Sequence, residues 1–348
     1  RNGDFAIEIG KRVAGTGFIE IVTGVVYTFT GASKLAGFFV FAWFGFIGLF
    51  LCYRAFRMAF PDGDAKRYGL LVFFLPSLLF WPSSIGKESW MMMNLGLIAY
   101  GAARILTRRH FGMLALVLGG AGSAIVRPHI TLIAVIALFA AYLLRPSSKQ
   151  SLLGPIWKFA MLGVLAVCVI GVASQMQSFF GVSVTDQATG GQQVLDRASA
   201  QSDEGGSSFE STKPTSPIGA LQAGIAVVFR PWPYEANNVQ ALFASMEGVF
   251  LLVLTLSSLS RLASVPRAML KRPYVAFALL YSLFFTYAFS AIGNFGILSR
   301  QRVQLYPFLV VALCVPPRFG RDEDADGDDR AQAPGLDAPV SGGPSRPA

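Results

Sequence analysis

Long apolar runs alternate with short basic gaps along most of this chain. A spanning helix needs about 20 residues, and runs of about that length lie near 35–56, 69–85, 89–106, 111–126, 130–145, 157–175, 238–260, 274–292 and 302–316. The pattern predicts an all-α fold, a polytopic transmembrane helical bundle with about nine spans. The apolar stretch near 17–32, most of it in GTGFIEIVTGVVYTFT (Gly15–Thr30), carries Glu20 and reads as an outward interfacial or re-entrant helix. Several runs are short, which calls for tilted or half-buried helices.

The gaps set the expected topology. Arg54, Arg57, Lys66 and Arg67 fill one; Arg104, Arg108 and Arg109 a second; Arg145, Lys149 and Lys158 a third; Arg261, Arg267, Lys271 and Arg272 a fourth. If these are cytoplasmic, the alternation of spans closes without conflict under the positive-inside rule. The N-terminal segment, 82–88, 127–129, 176–237 and 293–301 then face outward, and the C-terminus is cytoplasmic. The transmembrane domain is expected over 1–317, with a Gly-, Ser-, Gln- and Thr-rich flexible outward loop at 176–217. Residues 318–348 form an acidic, Pro- and Gly-containing tail, expected to be disordered in the cytoplasm. Its carboxylates lack the ordered spacing of a calcium loop.

Composition agrees with the pattern. Of 348 residues, 53% are hydrophobic and only 14% charged, against the roughly 25% charged residues of soluble domains. The net charge of +9 lies mostly in the gaps, so it argues topology and not nucleic-acid binding. Cys52, Cys168 and Cys314 are scattered in apolar runs and make neither a disulfide framework nor a metal set. No signal peptide is visible; position 1 is Arg, and a native start upstream of it is expected.

Outside the cytoplasmic gaps a second basic set remains: Lys87, Arg127, Arg230, Arg300 and Arg302. Each sits in a polar or proline-broken segment, WPSSIGKES, RPH, FRPWPYEANN or GNFGILSRQR. Cations on the outer face run against the positive-inside rule and need partners; as a cluster they suit a phosphate or diphosphate. Pro76 and Pro82 break an apolar helix at its outer end, and Ser83 or Ser84 is placed to cap a helix starting near Lys87–Glu88. Such a helix start favours an anion. The candidate general bases are Asp4, Glu88 and Glu235, with Glu247 deeper in a span, where it could instead neutralise Arg230 or Arg300. His129 reads as an interfacial hydrogen-bonding residue at the same site. Trp81, Trp232 and Tyr234 fit an interfacial aromatic belt, and equally a sugar-stacking face.

With Gly3-Asp4-Phe5, FLPSLLFWPSSIGKES, RPH, FRPWP and GILSRQRVQLYP in place, the layout of residues 1–316 resembles bacterial multi-span enzymes that handle polyprenyl-linked sugars: GT-C-type glycosyltransferases and Wzy-type or EpsG-like polysaccharide polymerases. The resemblance implies that Asp4 is the base of a first outward loop and that Arg127, Arg230, Arg300 and Arg302 engage a lipid diphosphate. The paired acidic motif usual in GT-C enzymes is absent at Asp4, as is their large outer domain. The expected activity is transfer or polymerisation of a polyprenyl-phosphate- or diphosphate-linked sugar at the outer face of the bacterial plasma membrane. Its partners would be the lipid-linked donor and a glycan acceptor; no cofactor or metal is called for. The rival is a transporter or flippase for an anionic, lipid-linked substrate; a scaffold that docks through the acidic tail leaves the basic cluster unexplained. The sugar, the lipid length, the choice between one transfer and polymerisation, and the oligomeric state leave no mark on the sequence.

Overall fold

A computed structural model describes residues 14–144, 159, 162–163, 217–290, 292 and 294–319. Among them every regular element is helical. The first half runs α1 (Thr16–Thr30), α2 (Lys34–Ala59), α3 (Ala65–Phe74), α4 (Pro76–Phe80), α5 (Lys87–Leu106), α6 (Gly112–Val126) and α7 (Pro128–Leu144). The second runs α8 (Pro217–Phe229), α9 (Val239–Leu256), α10 (Leu259–Leu262), α11 (Val265–Lys271), α12 (Pro273–Phe289), α13 (Phe295–Gln301) and α14 (Tyr306–Leu309). Two of these, α2 and α9, are long and apolar enough to cross a membrane, or three if the pair Leu259–Lys271 and Pro273–Phe289, bent by 115°, is one broken span. That is fewer than nine. The helices α6 and α7 are apolar but only 15 and 17 residues long.

Helices α2, α5 and α6 form the packed centre. Chain α2 and α5 run in the same direction and touch through small residues: a Cβ on Gly48 would meet the Met92 carbonyl at 2.2 Å, and one on Gly96 would meet Gly48 O at 2.3 Å. No side chain fits between them there. Helix α6 returns antiparallel to α5, where a Cβ on Gly119 would come 2.6 Å from the Asn94 carbonyl. Asn94 and Trp90 of α5 complete this seam, Trp90 Nε1 donating to Gly122 O at 2.8 Å. The apolar residues α2 and α9 leave outside lie on helical stripes, Phe39, Trp43, Phe46 and Phe50 on one and Phe243, Met246, Phe250 and Val253 on the other. Exposed apolar faces of this kind are compatible with lipid contact and unlike the surface of a soluble domain.

Three expectations change. The run 69–85 is broken as Pro76 requires, α3 ending at Phe74 and α4 starting at Pro76, but neither Ser83 nor Ser84 caps α5. Their hydroxyls turn back to Leu79 O at 2.6 Å and Trp81 O at 2.7 Å, and the residue before α5 is Gly86. The run 302–316 is no spanning helix: it is a 3-10 turn at Arg302–Gln304, the short α14 and a second 3-10 turn at Ala312–Cys314. Its apolar residues are buried among the other helices, and a protein-buried segment has the same hydropathy as a lipid-facing one. The end of the expected outward segment 176–237 holds α8, whose Ala223 and Val227 are buried. The remainder of 157–175 and of 181–216, the acidic tail from 320 onward, and Asp4 lie outside the described residues.

Candidate functional site

Three cations and two carboxylates meet at the start of α5. Pro128 lacks an N–H and disfavours helical backbone before it, so α6 stops at Val126 and Arg127 sits extended at the corner (φ −142°, ψ 80°). From there its Nη2 donates to Glu88 Oε1 at 3.1 Å. Glu88 is the second residue of α5, where the helix dipole favours a carboxylate, and its side chain is 1% exposed. Arg300 approaches from α13, a short helix capped by Asn294 accepting from Ile297 N–H at 3.2 Å, and gives Nη2 to Glu88 Oε2 at 3.3 Å. Its guanidinium also lies 5.2 Å from the Trp81 ring centroid. One buried carboxylate therefore bridges two arginines from distant parts of the chain.

The bridge forms the floor of a cavity of about 770 Å³. Lys87, Arg127 and Arg300 line it together with Glu88, and α1 contributes Thr16, Glu20, Thr23 and Tyr27. Lys87 makes no hydrogen bond or ion pair among the described residues, and Nη1 of Arg127 is buried without a hydrogen-bond partner. After Glu88 has been shared between two arginines, the cavity still holds an excess of unmatched donors. An anion supplies what they lack. The N-cap of α5, Gly86, supplies no side-chain acceptor, so the helix start adds its dipole to the cavity.

The sequence-predicted residues thus divide. Lys87, Glu88, Arg127 and Arg300 converge. Arg230, Trp232 and Glu235 form a separate turn: Arg230 Nε donates to Glu235 Oε1 at 3.1 Å and Oε2 at 3.2 Å, and Trp232 N–H reaches Oε2 at 2.8 Å. Burial raises the Glu235 pKa, but these bonds and the Arg230 charge outweigh it and hold the carboxyl below its ordinary range. None of the three lines the cavity, so the structure does not bring Arg230, Trp232 and Glu235 together with Lys87, Arg127 and Arg300. Arg302, 3% exposed, gives Nη1 to the carbonyls of Val228 (3.2 Å) and Arg230 and so ties the end of α8. It is occupied with backbone, not facing the cavity. His129, on α7, lies beside Phe289, with ring centroids 6.0 Å apart, and is likewise off the cavity wall. Glu247 neutralises neither Arg230 nor Arg300; the N–H of Ser77, at 2.7 Å, and its hydroxyl donate to it instead.

Sequence reading missed Glu20 as a site residue. The signal was present: Thr16, Glu20, Thr23 and Tyr27 follow one another by four, three and four residues, a polar stripe on an otherwise apolar helix. Among the described residues no three His, Cys, Asp or Glu side chains come together as a metal ion requires. Comparison with protein-family models, with curated proteins and with solved structures finds no match to this chain.

Proposed function

We propose that this protein is a membrane glycosyltransferase or polysaccharide polymerase acting on a polyprenyl-phosphate- or diphosphate-linked sugar. The observation that carries the reading is the cavity in which Lys87, Arg127 and Arg300 outnumber the carboxylates and retain unmatched donors. In this scheme the phosphate of the lipid-linked donor sits against Lys87 and Arg300, with Arg127 behind them. The cations stabilise the charge that grows on the departing phosphate as the glycosidic carbon is attacked. Glu88 is not the base of this scheme: two arginines hold it as the anionic bridge that fixes them in place. Glu20, which makes no ion pair among the described residues, is the cavity carboxylate free to take a proton from the acceptor hydroxyl, a role the sequence alone assigns to Asp4.

The accompanying topology is a bundle of about nine spans in a bacterial plasma membrane, α1 lying in the outer interface and the cavity open outward. The 1–317 bundle and the 318–348 cytoplasmic tail are part of the same proposal. The test is turnover of a short-chain polyprenyl-phosphate sugar, and of the diphosphate form, by the purified protein. Lys87→Ala and Arg300→Ala should lose both donor binding and product. Glu20→Gln should keep donor binding and lose product by about 100-fold or more, the usual contribution of a general base; Asp4→Asn distinguishes the two carboxylates. Donor binding by the wild type with no turnover on any acceptor would transfer the cavity to a transporter or flippase.

A further inference from the structure

Four arginines converge at the other end of the α2–α5 pair. Arg54 and Arg57 lie in the last two turns of α2, Arg104 in the last turn of α5, and Arg109 in the turn after it; together they line a cleft of about 510 Å³. Among the described residues no carboxylate lines it. The nearby acids are already committed, Asp64 to Arg261 and Asp62 to Arg272. Arg104 is anchored, its Nε donating to His110 O at 2.6 Å and Nη1 to the Tyr100 hydroxyl at 2.9 Å. Arg54, Arg57 and Arg109 make no side-chain hydrogen bond or ion pair among the described residues. A rule of topology explains basic residues in these gaps, but not their gathering around one concavity with no counter-ion among the described residues.

A second feature continues from the cleft. Phe39, Trp43, Phe46 and Phe50 are exposed on the stripe of α2 that leads to Arg54. Successive rings touch, with centroids 6.4, 5.6 and 6.3 Å apart, and Arg54 lies 6.0 Å from the Phe50 ring. From Phe39 to Arg54 the helix rises about 22 Å, enough to run beside an acyl chain through one leaflet of a core about 30 Å thick. A cationic cleft at the end of an apolar rail has the dimensions and charge order of an anionic phospholipid.

We propose that this cleft binds an anionic phospholipid of the leaflet opposite the Lys87–Arg127–Arg300 cavity, its phosphodiester among the arginines and one acyl chain along the aromatic rail. Guanidinium groups match phosphate oxygens in geometry, and basic pockets between helices recognise such headgroups. The site rests on the membrane reading of the chain but not on the transferase reading.

Lipid retention by the full-length protein tests it, using nanodiscs of phosphatidylcholine mixed with phosphatidylglycerol and native mass spectrometry after transfer to detergent. The wild type should retain phosphatidylglycerol in preference to phosphatidylcholine, and inorganic phosphate should not displace it. Arg54→Gln with Arg57→Gln should lower that preference about tenfold or more while leaving the folded protein intact, since both side chains are exposed and unbonded. Trp43→Ala with Phe46→Ala should also weaken retention of the lipid. Equal retention of the two lipids by the wild type, or an unchanged preference in the arginine variant, overturns the proposal. Displacement by millimolar phosphate overturns it too, in favour of a free-phosphate site. Because no turnover is read, an inactive cavity leaves the result interpretable.

Discussion

Arg300 and Arg302 are two residues apart and do different work. Arg300 is half exposed on a cavity wall, whereas Arg302 is buried and spends one nitrogen on two carbonyls at the end of α8. Removing a donor from buried carbonyls costs about 1–3 kcal/mol for each one left unsatisfied. Arg302→Ala should therefore destabilise the protein by about 2–4 kcal/mol, measured as a lowered unfolding midpoint, with phosphate-ligand affinity intact in the fraction that folds. Arg300→Ala should do the reverse, losing ligand affinity with a smaller change in midpoint, because its own partner Glu88 keeps Arg127. Glu235 supplies a pH dependence. Its folded pKa is held below the unfolded value, so the stability it contributes is fully present above the unfolded pKa and is lost as pH falls through the folded one. Comparing the midpoint of the wild type with that of Glu235→Gln across acidic pH should show the two curves converge toward low pH and separate toward neutrality. Parallel curves would mean that the Arg230–Glu235 turn is not coupled to folding.

At the level of the helices, small residues decide how closely the central pair packs. Gly48→Ala puts a methyl into the Met92 backbone of α5 and should cost about 1–3 kcal/mol by overpacking. Gly24, in the middle of α1, has nothing within 4 Å of an added Cβ, so Gly24→Ala should stabilise by about 0.5–1 kcal/mol through helix propensity. Thermal unfolding of the two variants should give shifts of opposite sign. The sequence made some of this architecture legible. Pro76 and Pro128 force chain breaks wherever they stand, and both breaks are where the prolines put them. The convergence of Lys87, Arg127 and Arg300 was legible too, since each was a charge out of place in a polar break. What failed had separate causes, the first being that hydropathy records that a segment avoids water, not whether lipid or protein replaces it. The stretch 302–316 therefore read as a span although the other helices enclose it. Helix α8 falls in the expected outward segment, and its 13 residues are too few for a span-length hydropathy signal. Ser83 and Ser84 misled because a hydroxyl near a helix end satisfies a preceding carbonyl as readily as a following N–H.

Across the whole molecule, the two basic sets fall at opposite ends of the parallel pair α2 and α5. One end is tied together by Gly15 N–H donating to Ile125 O at 3.0 Å and by the Arg127–Glu88–Arg300 bridge. The other is tied by Arg261 to Asp64 at 3.2 Å, by Asp64 N–H to Cys314 O at 2.9 Å and by Arg272 to Asp62. The arginine-rich gaps at 54–67 and 261–272 thus share an end, as one membrane side requires of them, and the helix starts that build the cavity share the other. The proposed orientation makes this polarity measurable. In a Cys168→Ala background, with Cys52 and Cys314 buried, a cysteine at exposed Ser83 should react with a membrane-impermeant maleimide in intact cells. One at exposed Ser260 should react only after permeabilisation. Labelling of both from the same side would contradict the placement of the two clusters at opposite membrane faces. The inverted pattern would keep that placement but turn the cavity toward the cytoplasm, where the basic cleft would meet the outer leaflet against the positive-inside rule. An outward-acting transferase would then be excluded, and a cytoplasmic anionic substrate would take the place of the lipid-linked sugar.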